Sequence, residues 1–248
     1  MAVTVKDHMA FYLRFLEDVF PYMEKYHDKT GMGRVLSELT VLLENPSCGT
    51  VNDRALLLDY KSSQEKKTEK AVQLRKDALA LLSEITAGNA HLAANINANL
   101  GSLYRQTGEY ALARSYMERG ISILEQYKLT NTHDSIPQIC NYAMLLADVG
   151  ETSRGMAALR KLSRVIKENH SDMSGDYAVI QEAMGGICLA QGNVRQATEY
   201  FKCATHIYEV IWEDAPELIE EKYNEIMGLY PQIGSVLGQY VAQALQKS

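Results

Sequence analysis

The chain has 248 residues, of which 46% are hydrophobic and 23% charged, a composition that excludes an intrinsically disordered protein. Its net charge of −6 argues against nucleic-acid binding, and the lysine-rich stretch over 61–76 is interleaved with acidic residues. No run approaches the ~20 apolar residues of a membrane span, and the first residues lack the apolar core of a signal peptide. We therefore expect a cytoplasmic protein with neither a nucleic-acid nor a membrane partner.

The N-terminal part of the chain predicts a pair of helices. Helix formers dominate throughout and β-branched residues never alternate, which predicts an all-α fold. An amphipathic segment over 3–27 predicts the first helix, and two glycines within residues 29–33 predict a break after it. A second helix is predicted over 34–43, ending before Pro46. We interpret this pair as an N-terminal cap over 1–46.

The next pair of helices is predicted over 53–62 and 66–82. Asn52 or Asp53 is the expected N-cap of the first of these helices, because both side chains accept hydrogen bonds from helix N–H groups. The pair keeps the register of the repeats that follow it and is predicted to form a degenerate repeat over 51–89.

A fixed period governs the centre of the chain. The glycines Gly108, Gly150 and Gly192 are spaced 42 residues apart, each where a helical pattern stops and a new one begins. Glycine suits such turns because it adopts positive φ without a steric penalty. Small residues recur with the same period in the helices before and after each turn: Gly101, Ala143 and Gly185; Ala113, Gly155 and Ala197. This pattern indicates stacked helical hairpins whose small residues mark the close approaches.

The period also defines the domain organisation. Three clear repeats cover 92–213, and a degenerate C-terminal repeat over 216–247 includes a helix predicted over 235–245. No linker or low-complexity segment interrupts the chain. The sequence therefore predicts a single domain over 1–248, a right-handed α–α superhelix (solenoid) of antiparallel helix hairpins with about 12 helices.

The central repeats resemble tetratricopeptide repeats. In the first of them the residues at the family's positions are Leu100-Gly101, Tyr104, Gly108, Ala113, Met117 and Gly120. The family's tryptophan at position four is absent, as is its terminal proline. The 42-residue period resembles the kinesin-light-chain type, and the stretch from Asn99 to Tyr110 is the most similar piece.

The resemblance implies that the first helices of successive hairpins line a concave face that binds a protein or peptide. The candidate peptide-binding residues are those on first helices that packing does not use: Asn95, Asn99, Ser102, Arg105, Asn141, Met144, Asp148 and Glu182.

Asn99 and Asn141 form the sharpest pair of candidates, because they lie 42 residues apart. An asparagine amide has donors and an acceptor, so it pairs with both the N–H and the C=O of an extended peptide. Similar repeats in kinesin light chains imply such a ladder. The alternative is that each asparagine bonds a neighbouring helix or only covers the surface.

Other residues on the predicted concave face indicate which ligands the face can bind. A carboxylate clamp is excluded because its cationic positions hold Ala98, Ser102, Glu182 and Gly186. Met144 and Cys140 predict a modest apolar pocket in the middle of the groove. Glu182, Glu221 and Asp53 predict a ligand with some basic character.

Enzymatic function has little support in the sequence. Cys203 and His206 lie three residues apart on one predicted helix, but no second pair completes four metal ligands. We expect a non-enzymatic module without cofactor or metal that holds a partner segment in its groove. The two other interpretations are a peptide-gated regulatory protein that changes its superhelical conformation, and a self-assembling structural subunit that forms homo-oligomers.

Overall fold

The computed structural model describes residues 29–45, 47–169 and 172–233, and throughout them the secondary structure is helical without a strand. Ten α-helices lie in this part: α1 (Lys29–Glu44), α2 (Val51–Gln64), α3 (Thr68–Leu81), α4 (Ala90–Gln106), α5 (Tyr110–Gln126), α6 (Ile136–Asp148), α7 (Thr152–Asn169), α8 (Gly175–Ala190), α9 (Val194–Ile211) and α10 (Pro216–Leu229). Short 3₁₀ helices precede α6 and follow α10. The all-α prediction is confirmed, while the helices predicted over 3–27 and 235–245 lie outside the described residues.

Backbone contacts divide the chain into two compact units, and the division falls inside α4. The first unit ends at Leu103, and the second unit begins at Tyr104. The single domain over 1–248 and the predicted repeat boundaries stay predictions. None of the described helices is both long and apolar enough to cross a membrane.

Helix α1 corrects the predicted break over residues 29–33. The helix begins at Lys29 and runs through Gly33. Met32 is only 2% exposed and belongs to the core of the first unit, together with Leu36 and Leu39. Burying these three side chains contributes about 2 kcal/mol each, which outweighs the cost of about 1 kcal/mol for each of the two glycines inside the helix.

The N-terminus of α2 is capped by Thr50, so the prediction of Asn52 or Asp53 as the N-cap is wrong. The Thr50 hydroxyl accepts a hydrogen bond from the Asp53 backbone N–H at 3.2 Å, and the Asp53 carboxylate accepts one from the Thr50 N–H at 2.6 Å. This reciprocal capping box satisfies two backbone N–H groups, whereas a single cap would satisfy only one of them. Asp53 therefore acts one turn into the helix.

In the second unit, the hairpins α6–α7 and α8–α9 turn where the period places them. Gly108, Gly150 and Gly192 have φ angles of +79°, +85° and +75°. These values lie in the left-handed region, which a side chain at the same position would strain. The predicted glycine turns are confirmed.

The small residues mark close approaches between paired helices, as the period predicts. A Cβ atom on Gly155 of α7 would lie 2.5 Å from the carbonyl oxygen of Ala143 on α6. A Cβ atom on Gly185 of α8 would lie 2.8 Å from the ring of Phe201 on α9, which is fully buried. The helices of each hairpin therefore approach more closely than a methyl group would allow.

We expect the Gly155→Ala substitution to destabilise the protein by about 2 kcal/mol, because the new methyl group meets a backbone carbonyl that cannot rotate away. Urea denaturation followed by circular dichroism measures the change. Gly228→Ala is the matched control, since a Cβ there meets nothing within 4 Å and alanine favours helix by up to about 1 kcal/mol. Equal stability of the two variants would contradict this prediction, because it would show that α6 and α7 move apart at little cost to admit the methyl group.

Candidate functional site

A cavity of about 230 Å³ opens in the second unit where α6, α8 and α10 end. Its lining is mainly apolar with one charged pair, and it includes Arg105, Met144, Asp148, Ile187, Leu229 and Tyr230. Helices α6 and α8 are the first helices of their hairpins. The cavity therefore lies on the helices that the sequence predicts to carry the binding residues. Three of the predicted site residues, Arg105, Met144 and Asp148, therefore meet at one place.

The Arg105 guanidinium and the Asp148 carboxylate form an ion pair at this cavity. Arg105 Nε donates to Asp148 Oδ2, and the two side chains are 30% and 25% exposed. Within the described part of the chain, neither terminal nitrogen of Arg105 donates a hydrogen bond, and Asp148 Oδ1 accepts none. The pair thus keeps both donors and an acceptor for a ligand.

Tyr230, which follows α10, forms one wall of the cavity. Its hydroxyl would lie 2.5 Å from a Cβ on Gly186, so a larger residue at that position would push the ring away from its place in the wall. The ring also packs on Phe201 with a centroid separation of 5.0 Å. Burial raises the pKa of the Tyr230 hydroxyl, and repulsion from Glu182 raises it further. The hydroxyl therefore stays protonated and available as a donor at neutral pH.

Glu182 on α8 is held by partners within the second unit. Tyr208 donates its hydroxyl proton to the carboxylate at 2.5 Å, and Lys222 Nζ lies 3.2 Å from it. Lys222 also contacts Glu225 at 3.1 Å, and the Lys222 and Glu182 side chains are 19% and 18% exposed. Because these bonds engage the carboxylate, Glu182 is less available to a basic ligand than the sequence suggests.

Burial shifts the pKa values of Glu182, Lys222 and Tyr208. Burial raises the pKa of Glu182, and attraction to Lys222 offsets the increase only in part. Burial lowers the pKa of Lys222, but attraction to Glu182 and Glu225 outweighs it, so the net shift is upward. Burial likewise raises the pKa of Tyr208. Lys222 therefore stays charged, whereas Glu182 takes up a proton more readily than an exposed glutamate.

Asn141 lies on α6 one turn before the cavity and is half-buried. Its side-chain amide makes no hydrogen bond to any residue that the structure describes. An amide in that position retains two donors and one acceptor. Asn141 is thus able to bind a peptide group.

Asn95 and Asn99 lie on the part of α4 that belongs to the first unit, and both bond a neighbouring helix. Asn99 Nδ2 donates to the Asp59 carboxylate on α2 at 3.3 Å, and Asn95 Nδ2 donates to it at 3.5 Å. Asp59 is also paired with Arg75 on α3, with Arg75 Nε donating to Oδ1 at 2.7 Å. The amide donors of Asn99 are therefore used within the first unit. Ser102, another predicted site residue, lies one turn further along α4 and is half-buried.

Comparison with solved structures identifies the type of fold. The crystal structure of BtubC (BKLC) from P. vanneervenii has a TM-score of 0.57 and 16% identity, covering 99% of this chain and 92% of that chain. A putative kinesin light chain from Podosopora anserina with nearly identical TPR-like repeats has a TM-score of 0.56 and 12% identity, covering 79% of this chain and 96% of that chain. A substituted form of it has a TM-score of 0.59 and 12% identity, covering 80% and 96%.

The fold is that of a tetratricopeptide-type repeat protein. The resemblance read from the sequence is confirmed at this level. No protein-family model and no curated protein matches the sequence. At 12–16% identity, the likeness to these solved structures shows the fold alone.

The tetratricopeptide-type framework buries several positions that the sequence places in the groove. Cys140 is buried, and the half-buried Met144 packs against the same core while also lining the cavity. The lining residues Ile187, Leu229 and Tyr230 were not predicted. The period could not indicate Leu229 and Tyr230, because they come from the degenerate C-terminal repeat. Gly186 could have indicated this wall, since a glycine next to Gly185 in the middle of α8 allows a large side chain to approach the helix.

Cys203 and His206, the thiol and imidazole that the sequence places three residues apart, have no further metal ligands beside them in the described part of the chain. Cys203 is partly buried and burial raises its pKa, which disfavours the reactive thiolate. His206 is exposed and lies 3.7 Å from Glu209. Across the described ranges, no group of three His, Cys, Asp or Glu side chains could hold a metal ion.

Proposed function

We propose that the chain is a non-enzymatic module that binds a segment of a partner protein through the first helices of its hairpins. Stacked helical repeats expose extended faces that other proteins use for binding. The observation that carries the proposal is the cavity of about 230 Å³ in the second unit. Arg105, Asp148 and Asn141 at or beside it keep hydrogen-bonding groups that no described residue uses.

Hydrogen bonds to the peptide backbone would supply much of the recognition. Each peptide unit offers one N–H and one C=O, and an asparagine amide complements both. A net hydrogen bond contributes only about 1 kcal/mol, so several are needed for a micromolar complex. The predicted ladder assigns one contact to Asn141 in the second unit and one to Asn99 in the first unit. Asn99 retains its carbonyl oxygen for this role, since its amide donors bond Asp59.

A displayed library of random peptides, selected on the full chain, tests the function because it covers many candidate partner segments at once. We expect selected peptides to bind the wild-type protein in the micromolar range and the Asn141→Ala variant at least tenfold more weakly, because one amide holds two peptide groups. Fluorescence anisotropy of labelled peptides measures the affinities. Failure to select any peptide would contradict the proposed function.

The matched control for Asn141→Ala is Asn131→Ala, which removes an exposed amide from the loop between α5 and α6. Its affinity for the selected peptides should equal that of the wild-type protein. Asn99→Ala also removes the bond to Asp59, so its affinity must be compared at equal folded fraction. If Asn141→Ala and Asn99→Ala both leave the affinity unchanged, the asparagine ladder is wrong.

A further inference from the structure

We propose that the cavity between the ends of α6, α8 and α10 binds one large apolar side chain of the partner segment, while the Arg105–Asp148 pair binds the adjacent peptide group. The inference rests on the proposed function, because it specifies the ligand of the same site. It identifies an extended peptide with an apolar anchor residue as the occupant.

The size of the cavity sets the size of the anchor. A cavity of about 150 Å³ in a protein core accommodates benzene. The cavity of about 230 Å³ therefore accommodates one side chain as large as leucine or phenylalanine, but not two. An alanine side chain would leave most of this space unfilled.

The apolar part of the lining favours an uncharged anchor. Met144, Ala147 and Ile187 line the cavity, and Ile187 is otherwise buried in the core of the second unit. Leu229 lies at the rim with 64% of its surface exposed, which is a high value for a leucine. An anchor side chain would cover apolar surface on Leu229 and on the half-buried Met144, and burial of such surface is favourable in proportion to its area.

The polar part of the lining complements a peptide group. Arg105 and Asp148 bond each other through one nitrogen and one oxygen, which leaves donors and an acceptor side by side. A peptide carbonyl accepts from the guanidinium, and a peptide N–H donates to the carboxylate. Because the pair has no net charge, it offers no compensation for a buried lysine or aspartate on the ligand.

Tyr230 fixes the depth of the cavity. Its ring is held between Gly186 and Phe201, so the wall that it forms cannot swing outward without losing this packing. Its hydroxyl has no hydrogen-bond partner among the residues that the structure describes, although the side chain is half-buried. A polar backbone atom of a ligand would satisfy it.

The test uses blocked tripeptides of the form acetyl-Gly-X-Gly-amide, with X as leucine, alanine, lysine or aspartate. Binding is followed through the methyl signal of Met144 in nuclear magnetic resonance spectra of the full chain. We expect the leucine peptide to bind with a Kd of roughly 1 mM and each of the others at least tenfold more weakly. Stronger binding of the lysine or aspartate peptide than of the leucine peptide would overturn the apolar anchor.

Two variants locate the site. Ala190→Phe places a large ring at an exposed lining position and should abolish binding of the leucine peptide, whereas Arg105→Met should weaken it at least fivefold. Ala80→Phe, at an exposed position of α3 in the first unit, is the matched control and should bind as the wild-type protein does. Unchanged affinity in both cavity variants would overturn the proposal.

The library peptides separate this proposal from the proposed function. Peptides that bind the wild-type protein and Ala190→Phe equally well would overturn the apolar anchor but leave peptide binding intact. If no peptide is selected and no tripeptide binds, both proposals fail. Selected peptides that share one large apolar residue, and lose affinity when it becomes alanine, would support both.

Discussion

The Arg75→Met substitution is expected to destabilise the protein by about 4 kcal/mol, because it leaves the Asp59 carboxylate buried without its cation. The two side chains are only 9% and 10% exposed, and Arg75 Nε donates to Asp59 at 2.7 Å. The amides of Asn95 and Asn99, at 3.3 to 3.5 Å, bond the carboxylate too weakly to replace that charge. Urea denaturation followed by far-ultraviolet circular dichroism measures the loss.

Arg154→Met serves as the matched control for Arg75→Met. Arg154 also pairs with a carboxylate, that of Glu151 at 3.0 Å, but its side chain is 57% exposed. Solvent screens such a pair, so its removal should change stability little. If Arg75→Met costs no more than Arg154→Met, the Asp59–Arg75 pair does not organise the first unit. Adding Asp59→Asn to Arg75→Met should recover part of the loss, because no buried charge then remains.

The Asp59 network also bears on how Asn99 is tested. Because Asn99 bonds Asp59 in the first unit, removal of its amide changes both stability and any peptide contact. Asn141 makes no such bond to a described residue, so its variant reports on binding alone. The alternative that an asparagine bonds a neighbouring helix holds for Asn99, and its contact with a peptide stays a prediction.

The 42-residue period predicted the features that recur in every repeat. Gly150 and Gly192 turn because each repeat needs a reversal, and Gly155 is small because each hairpin has a close approach. These requirements are local or repeated, so one sequence is enough to detect them. The helix type, the turns and the close approaches could therefore be predicted.

Contacts that occur once could not be predicted in this way. Asp59 and Arg75 are 16 residues apart and have no counterpart in the period, so nothing in the sequence pairs them. Tyr230 reaches the cavity from the degenerate C-terminal repeat, and the pattern ends before it. The break expected near Gly33 failed for another reason, since local glycine preference was outweighed by the burial of Met32. Three of the ten lining residues of the cavity, Arg105, Met144 and Asp148, are thus among the predicted site residues.

The Lys222→Met substitution is expected to destabilise the second unit by about 3 kcal/mol at about pH 8, since Glu182 then keeps a buried charge with only the Tyr208 hydroxyl as partner. Trp212, the only tryptophan of the chain, stacks on Tyr208 with a ring-centroid separation of 4.7 Å. Its fluorescence during urea denaturation therefore reports the unfolding of this unit. Lys202→Met is the matched control, because its ion pair with Glu199 is exposed and spans 3.6 Å.

The pH dependence of Lys222→Met distinguishes a buried charge from lost packing. Burial raises the pKa of Glu182 in the folded protein above its unfolded value, so the folded state binds the proton more tightly and stability rises as the pH falls through the folded pKa. Without Lys222 this pKa rises further, and the loss should shrink between about pH 8 and about pH 5. A loss that stays constant across this range would assign the effect to packing. Adding Glu182→Gln should then recover nothing, whereas a buried charge predicts that it restores more than half of the stability.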